Sequence, residues 1–377
     1  MKSVTALGLA WVPLLVAGVP GDDDQRGPAP TGERSLDSQS GPATTPRLAA
    51  AADEARRAGL RSALAWISAP ERARADGSWE TVDARVECQG AVSALATLAL
   101  LAGGSTPDRG QYGARVARGT DYLLSRAVLD ASATDRGFVG TLDAPNSAMH
   151  THGFALLALA EAYSVSPATR RGARLAEVLP LAVGLIESTQ GAEGGWEYEP
   201  KRIAAHEGSV TICLVQGLRA ARNAGIDVDG TVIARADDYV RRSQAPDGLF
   251  RYTLGSPERT VALTAAAIAT LNATGSYDDP VIRQGVDAIW RRLAERDADG
   301  STPDFPFYER FYLVQALWQL SDPSHFERWY EQELERVLDS QRDDGSWRNS
   351  SYGDTYATAM NALFLAVPDA LLPILQR

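Results

Sequence analysis

Cysteine is nearly absent: Cys88 and Cys213 are the only two in 377 residues, and they form no Cys-x-x-Cys pair. That excludes a disulfide framework, and each thiol falls in an apolar helical stretch where it packs as a small hydrophobe. Lysine is just as scarce. Lys2 and Lys201 are the only two among 37 basic residues, which leaves 35 arginines. Their scatter reads as a solvated face shaped by base composition rather than as a forked anion site. A net charge of -11 excludes a general nucleic-acid or anionic-membrane binder, since either needs basic density on one face. The chain has no Gly-x-Ser-x-Gly elbow and no phosphate-binding loop. His206-Glu207 opens like a helical zinc-protease motif, but Val210 stands where the second ligand would have to be. No cofactor and no metal site is expected.

What is present begins with a short positive start at Lys2, followed by Val4 to Gly18, apolar apart from Thr5. Residues 1–19 read as an export signal, too short for a comfortable membrane span, with an uncleaved anchor as the alternative. Residues 20–46 are Gly, Pro, Ser, Thr and Asp with almost no large apolar side chain, a flexible tether. The expectation is an exported bacterial protein, periplasmic or extracellular. From 47 to 377 the composition is globular, with 45% hydrophobic residues over the chain as a whole.

One spacing organises that region. Glutamine, three spacers, glycine, one spacer and an aromatic occur at Gln190, Gly194 and Trp196, at Gln244, Gly248 and Phe250, and at Gln341, Gly345 and Trp347. Weaker copies lie at Gly77 and Gly137, where Ala73 and Ala133 hold the glutamine position, and at Gly300. Each turn lies between two helical segments, and such self-similarity marks stacked supersecondary units. The first helix of each pair is amphipathic, as in Ile282 to Arg292. The second is apolar nearly all round, as in Val261 to Ile268. A helix apolar on every side is buried on every side. Six outer helices around six inner ones satisfy this without an open end, so an all-α, closed α/α toroid (an α6/α6 barrel) of six helix-turn-helix repeats is predicted.

The glutamine-glycine-aromatic spacing resembles the repeat motif of the terpenoid cyclase and protein prenyltransferase toroid superfamily, which includes squalene-hopene cyclases, prenyltransferase beta subunits and complement-type thioester domains. The resemblance covers roughly Leu48 to Arg377. It extends to bacterial exported prenyltransferase and squalene oxidase repeat proteins through Glu207 to Ile226 and Leu372 to Arg377. It implies that the glutamine bridges to neighbouring backbone and stacks on the aromatic, tying one helix pair to the next. The family's chemistries need signatures that this chain lacks. There is no Asp-x-Asp-Asp acid of class II cyclases; Asp343-Asp344 and Asp278-Asp279 sit in turns. Neither Cys88 nor Cys213 completes an Asp-x-Cys zinc pair, and Glu87-Cys88-Gln89-Gly90 has the thioester letters in the wrong order.

The starts of the inner helices are polar: Glu87 and Gln89; His150, Thr151 and His152; His206, Glu207 and Ser209; Glu258, Arg259 and Thr260; Tyr308, Glu309 and Arg310; Asp354, Thr355 and Tyr356. In a closed ring all six converge on one mouth, the arrangement of a ligand site. Helix capping explains acids and hydroxyls there, but explains His150, His152 and His206 poorly. Glu87, Gln89, His150, His152, His206, Glu207, Glu258, Tyr308, Glu309 and Asp354 are therefore the expected ligand contacts. Glu207 or Asp354 is the candidate acid, and His206 or His152 the candidate base. The functional expectation is a squalene cyclase/prenyltransferase-like repeat protein that binds an apolar, isoprenoid-like ligand or a peptide in its cavity. The alternatives are an acid/base enzyme of the same fold, whether a cyclase-like isomerase or a transferase, and a structural envelope protein.

Overall fold

The computed structural model describes residues 46–82, 88–141, 148–204, 206–273, 275 and 279–376. The expected export segment, nearly all of the tether and Glu87 lie outside the described residues. Among those described, twelve α-helices alternate between two layers. The outer helices are α1 (Ala50–Ser68), α3 (Gly113–Ser125), α5 (Arg170–Thr189), α7 (Gly230–Arg242), α9 (Pro280–Asp299) and α11 (Ser324–Asp339). The inner helices are α2 (Gln89–Ala102), α4 (Ala148–Val165), α6 (Gly208–Asn223), α8 (Val261–Ala273), α10 (Pro306–Trp318) and α12 (Asp354–Ala366). Each inner helix packs against the next, and α12 packs back onto α2, so the ring is closed. Two-residue strands β1 (Phe250–Arg251) and β2 (Arg259–Thr260) pair antiparallel beside the fourth turn. No helix among the described residues is long and apolar enough to cross a membrane.

The two layers follow from the two sequence patterns. Helix α7 buries Val232, Ile233, Ala236, Tyr239 and Val240, a single stripe at helical spacing, and the Asp229 carboxylate caps its start at Thr231 N. Every residue of α8 is buried, and most are alanine or other small apolar residues that let its neighbours approach.

The turns fasten the layers by a repeated set of bonds. The backbone N–H of the turn aromatic donates to a hydroxyl one turn into the inner helix: Trp79 to Ser93, Trp196 to Thr211, Phe250 to Thr264 and Trp347 to Thr358, all at 2.9–3.1 Å. The indoles of Trp79, Trp196 and Trp347 donate to carbonyls at the end of the preceding outer helix, Ile67, Ile186 and Val337. Each motif glutamine donates twice from Nε2, to its own turn glycine and to a carbonyl of the next outer helix. Gln190 reaches Gly194 and Val232, Gln244 reaches Gly248 and Val281, and Gln341 reaches Gly345 and Gly59.

The turn glycine is obligatory for two reasons. At Gly194 φ is +93°, and a Cβ would lie 2.3 Å from the carbonyl oxygen of Arg235 on α7. Where glutamine is missing, other side chains take over. In the first turn Arg115 of α3 donates to the Gly77 and Ser78 carbonyls and lies over the Trp79 ring. In the second, His152 accepts from Val139 N at Nδ1, and its Nε2 faces the Ala182 carbonyl of α5. The fifth turn lacks the close approach: among the described residues a Cβ on Gly300 would meet nothing within 4 Å, and Arg296 of α9 reaches Glu309 of α10 across it.

Candidate functional site

All inner helices start at the same end of the ring, and their inward faces define a lumen. Helical spacing puts His150, Phe154, Leu157 and Glu161 on one face of α4, and Tyr308, Tyr312, Gln315 and Gln319 on one face of α10. Gln216 of α6 donates from Nε2 to Gln315 Oε1 at 3.0 Å, although α8 stands between these two helices in the ring. This bond crosses the lumen at mid-height. Below it the carboxy-terminal segment closes the lower end: Ile374 N donates to Glu161 Oε1, Trp318 Nε1 to Leu375 O, and Gln319 Nε2 to Ile374 O. Leu372, Ile374 and Leu375 are buried in that seal.

Above the bridge lies an aromatic chamber. His150, Tyr308 and Tyr356 lie deep within the ring yet keep part of their surface accessible, so they line a recess, which Tyr252, less deeply placed, flanks. Tyr198 flanks the His150 ring at 5.9 Å, and the Tyr198 and Tyr252 hydroxyls are bonded to each other. Tyr308 and Tyr312 are neighbours on α10, with ring centroids 4.7 Å apart. The Tyr308 phenol is held well above its ordinary pKa, first by burial and then by the proximity of Glu207, Cys213 and Tyr356.

Three polar groups run in series at the top of this chamber. The Ser209 hydroxyl donates to Glu207 Oε2 at 2.7 Å, and His150 Nε2 lies 3.0 Å from the same hydroxyl. With Glu207 ionised the serine proton goes to the carboxylate, and His150 then donates from Nε2 and keeps a lone pair on Nδ1. Burial pulls the His150 pKa down to about 4, so the ring is neutral at physiological pH. Glu207 also accepts from Ser209 N and Val210 N, which makes it the N-cap of α6. Burial outweighs those three bonds and raises its carboxyl to about 7.

The structure separates the residues expected at the mouth. His150, Glu207 and Tyr308 come together there. His152 does not: it is fully buried, stacked on Phe138, with both ring nitrogens used in the second joint. His206 turns to the outer layer, with Nδ1 3.1 Å from the Tyr239 hydroxyl of α7. Glu309 forms a two-pronged ion pair with Arg296 of α9, away from the lumen. Asp354 is held by Arg342 at 2.9 Å and by Asn349 N, inside the sixth turn. Gln89 donates to Ser78 Oγ in the first turn, and Glu258 is exposed. Ser209 stood among the polar helix starts, but Tyr312, Gln216 and Gln315 were not anticipated. The signal for Tyr312 and Gln315 was the 308, 312, 315, 319 spacing on α10, and for Gln216 a lone amide in the apolar run of α6. Among the described residues no group of three or more His, Cys, Asp and Glu side chains is placed to hold a metal.

No family model and no curated protein matches this chain. Solved structures do. Type II terpene cyclase MstE from Scytonema (apo) superposes with a TM-score of 0.58 at 16% identity, covering 85% of this chain and 99% of that one. The GH76A alpha-1,6-mannanase from Salegentibacter sp. HEL1_6 gives 0.56 at 12% identity, again with 85% and 99% coverage. A protein from Actinoplanes gives 0.51 at 18% identity, with 84% and 99%. The chain therefore has the α/α toroid fold of the terpene cyclase, which the mannanase shares; identities this low establish the fold alone.

Proposed function

We propose that this chain is an exported toroid that binds a largely apolar, isoprenoid-like ligand in the chamber at the inner-helix starts, without class II cyclase chemistry. The observation that carries this is the chamber of His150, Tyr198, Tyr252, Tyr308 and Tyr356: aromatic faces around a recess, with few charges, above a lumen that is bridged below. The terpene cyclase neighbour is described in complex with geranylgeranyl dihydroxybenzoate and the mannanase neighbour with alpha-1,6-mannotriose, so the same toroid serves for an isoprenoid chain and for a sugar chain.

The argument against a cyclase is chemical. Such an acid must be far stronger than an ordinary carboxyl, whereas burial makes Glu207 weaker. The paired carboxylates at Asp343-Asp344 offer no substitute, because Asp344 is bonded to Ser346 and to the Trp66 indole as part of a joint. Native mass spectrometry of the purified mature protein, with extraction of bound lipid, tests the reading. A co-purifying isoprenoid is expected, and its loss in Tyr308→Ala would place it in the chamber. Release of a peptide, or of nothing even after incubation with prenyl lipids, would overturn it.

A second reading, an acid/base enzyme, is favoured by one observation: Ser209 joins a neutral His150 to a carboxyl that titrates near neutrality. In that case the acid is Glu207 and the base His150, in place of His206 or His152. Turnover of a bound ligand that disappears in His150→Gln while binding persists would establish it.

A further inference from the structure

We infer that the chamber's ligand carries an uncharged hydroxyl at its buried end; this rests on the ligand-binding reading above and deepens it. Three polar atoms towards the chamber floor are buried without a partner among the described residues: Tyr308 Oη, Tyr312 Oη and Gln216 Oε1. Tyr312 is 0% exposed and Gln216 3%. The two phenols lie close enough for a weak mutual interaction, but not at full hydrogen-bond geometry, so neither is satisfied. The amide of Gln216 is anchored through Nε2 to Gln315, which leaves its oxygen open. Buried polar groups are nearly always paired, and one left unpaired costs about 1–3 kcal/mol. Two phenols able to donate and one amide oxygen able only to accept form a set with a definite complement. A hydroxyl group has two acceptor sites and one donor, and so answers the phenols and the amide together.

Their position fixes the direction of entry. The inner helices run parallel from the mouth, so Cys213 of α6 and Tyr312 of α10 share one level, and Gln216 and Gln315 the next. Tyr312 Oη and Gln216 Oε1 therefore sit at the far end of the aromatic chamber, just above the bridge, with Tyr308 one turn nearer the mouth. A ligand reaches them head first, with its apolar chain left against Tyr308, Tyr356 and Tyr198.

Charge excludes the other common heads of isoprenoid chains. Among the described residues Arg310 of α10 is drawn away to Glu333 and Asn361, and Arg219 of α6 stands one turn below Gln216, on the far side of the bridge from the chamber. The nearest ionisable groups are Glu207, the Cys213 thiol pushed up by burial, and neutral His150. A diphosphate or carboxylate would be desolvated beside the Glu207 acid, a cost that a neutral hydroxyl does not carry. A hydrocarbon would leave all three atoms unpaired.

The test uses the full mature chain and three probes of equal chain length, farnesol, farnesyl diphosphate and farnesene, titrated against intrinsic fluorescence. Farnesol is expected to bind at least tenfold more tightly than either of the others. Tyr312→Phe and Tyr308→Phe, which keep the rings, are each expected to reduce that preference severalfold with unchanged thermal midpoints. Equal binding of farnesol and farnesene, or a preference that survives the double Tyr→Phe variant, would overturn the hydroxyl assignment and leave the apolar chamber standing. Tightest binding of the diphosphate would also overturn it. If no probe binds, the ligand-binding reading itself falls, and this inference with it.

Discussion

Gln341 donates from Nε2 to the carbonyl of Gly59 at 2.9 Å, across 282 residues of sequence. The same nitrogen bonds Gly345 in its own turn, as Gln190 and Gln244 do in theirs. The repeat motif therefore closes the ring as well as spacing it: the sixth turn grips the first outer helix as the third grips the fourth. Gly345 shares the task, since a Cβ there would lie 2.5 Å from the Ser62 carbonyl oxygen. Beside this joint the Arg56 guanidinium, 0% exposed, reaches Asp53, Asp369 and the Leu365 carbonyl, tying α1 to the end of α12.

Breaking the closure should cost more than the bond itself. Gln341→Ala removes two hydrogen bonds and is expected to lower stability by roughly 1–3 kcal/mol in urea unfolding. Gly345→Ala adds strain at φ +89° and a backbone clash, and is expected to exceed it. Arg56→Ala leaves Asp369 with only the longer Arg57 contact among the described residues, strips the Leu365 carbonyl of its partner and opens a buried gap, with an expected loss of about 3–5 kcal/mol. At Gly300, where an added Cβ would meet nothing within 4 Å among the described residues, Gly300→Asn should change stability by less than about 1 kcal/mol. A Gly345→Ala variant as stable as Gly300→Asn would refute the account of the joints.

The two histidines of α4 should separate by assay. His152→Ala loses two joint bonds and a ring packed on Phe138, so a destabilisation of about 2–4 kcal/mol is expected, with ligand affinity unchanged in the molecules that remain folded. His150→Ala should show the reverse: stability within about 1 kcal/mol and a clear loss of ligand binding. Thermal melts with and without added ligand distinguish the two.

That contrast shows where the sequence stops being legible. The toroid could be read because one motif recurs with its glycine and aromatic, and because the inner helices are apolar all round. The mouth could be read only as a level, since every inner helix starts there. Successive residues on a helix point about 100° apart, so a polar triplet at a helix start divides between lumen and joint. His150 looks inward while His152, two residues on, looks outward. Tyr308 lines the chamber while Glu309 pairs with Arg296. Which residue of each triplet faces inward depends on the rotation of the helix, set by packing against its neighbours. The glutamine's absence at Ala133 was visible, but His152 as its replacement required the distance to Ala182.

Glu207 carries a prediction that the capping geometry reverses. Read from sequence as a site residue, it would be removable at little cost to stability. With its carboxylate bonded to Ser209 N, Ser209 Oγ and Val210 N, Glu207→Ala is instead expected to cost roughly 1–2 kcal/mol. Glu207→Asp or Glu207→Asn, both able to cap, should recover part of it. A loss of ligand binding in Glu207→Asn at wild-type stability would assign the carboxylate to the ligand rather than to the helix.

The pH dependence of stability has two opposed arms. His150 and His152 are held neutral by burial, with pKa values lowered from 6.5 to about 4. Between those values the unfolded chain binds protons that the folded chain refuses, so stability falls as pH drops from 6.5 towards 4. Glu161 behaves oppositely. Burial beneath the carboxy-terminal seal raises its carboxyl from 4.5 to about 7, against the lowering effect of Ile374 N, and Oε2 has no partner among the described residues. Here the folded state keeps a proton that the unfolded state releases, so stability falls as pH rises from 4.5 to 7 and is then level. In wild type the arms offset one another across pH 4.5–6.5. Glu207, raised likewise to about 7, adds to the same arm; Glu161→Gln removes only the part due to Glu161 while preserving an acceptor for Ile374 N. It should therefore be more stable than wild type at pH 8, by about 1–3 kcal/mol, and nearly equal to it at pH 4.5. Urea unfolding at the two pH values decides this. A Glu161→Gln variant destabilised equally at both would mean that the carboxylate holds the seal as an anion, and that Oε2 has a partner beyond the described residues.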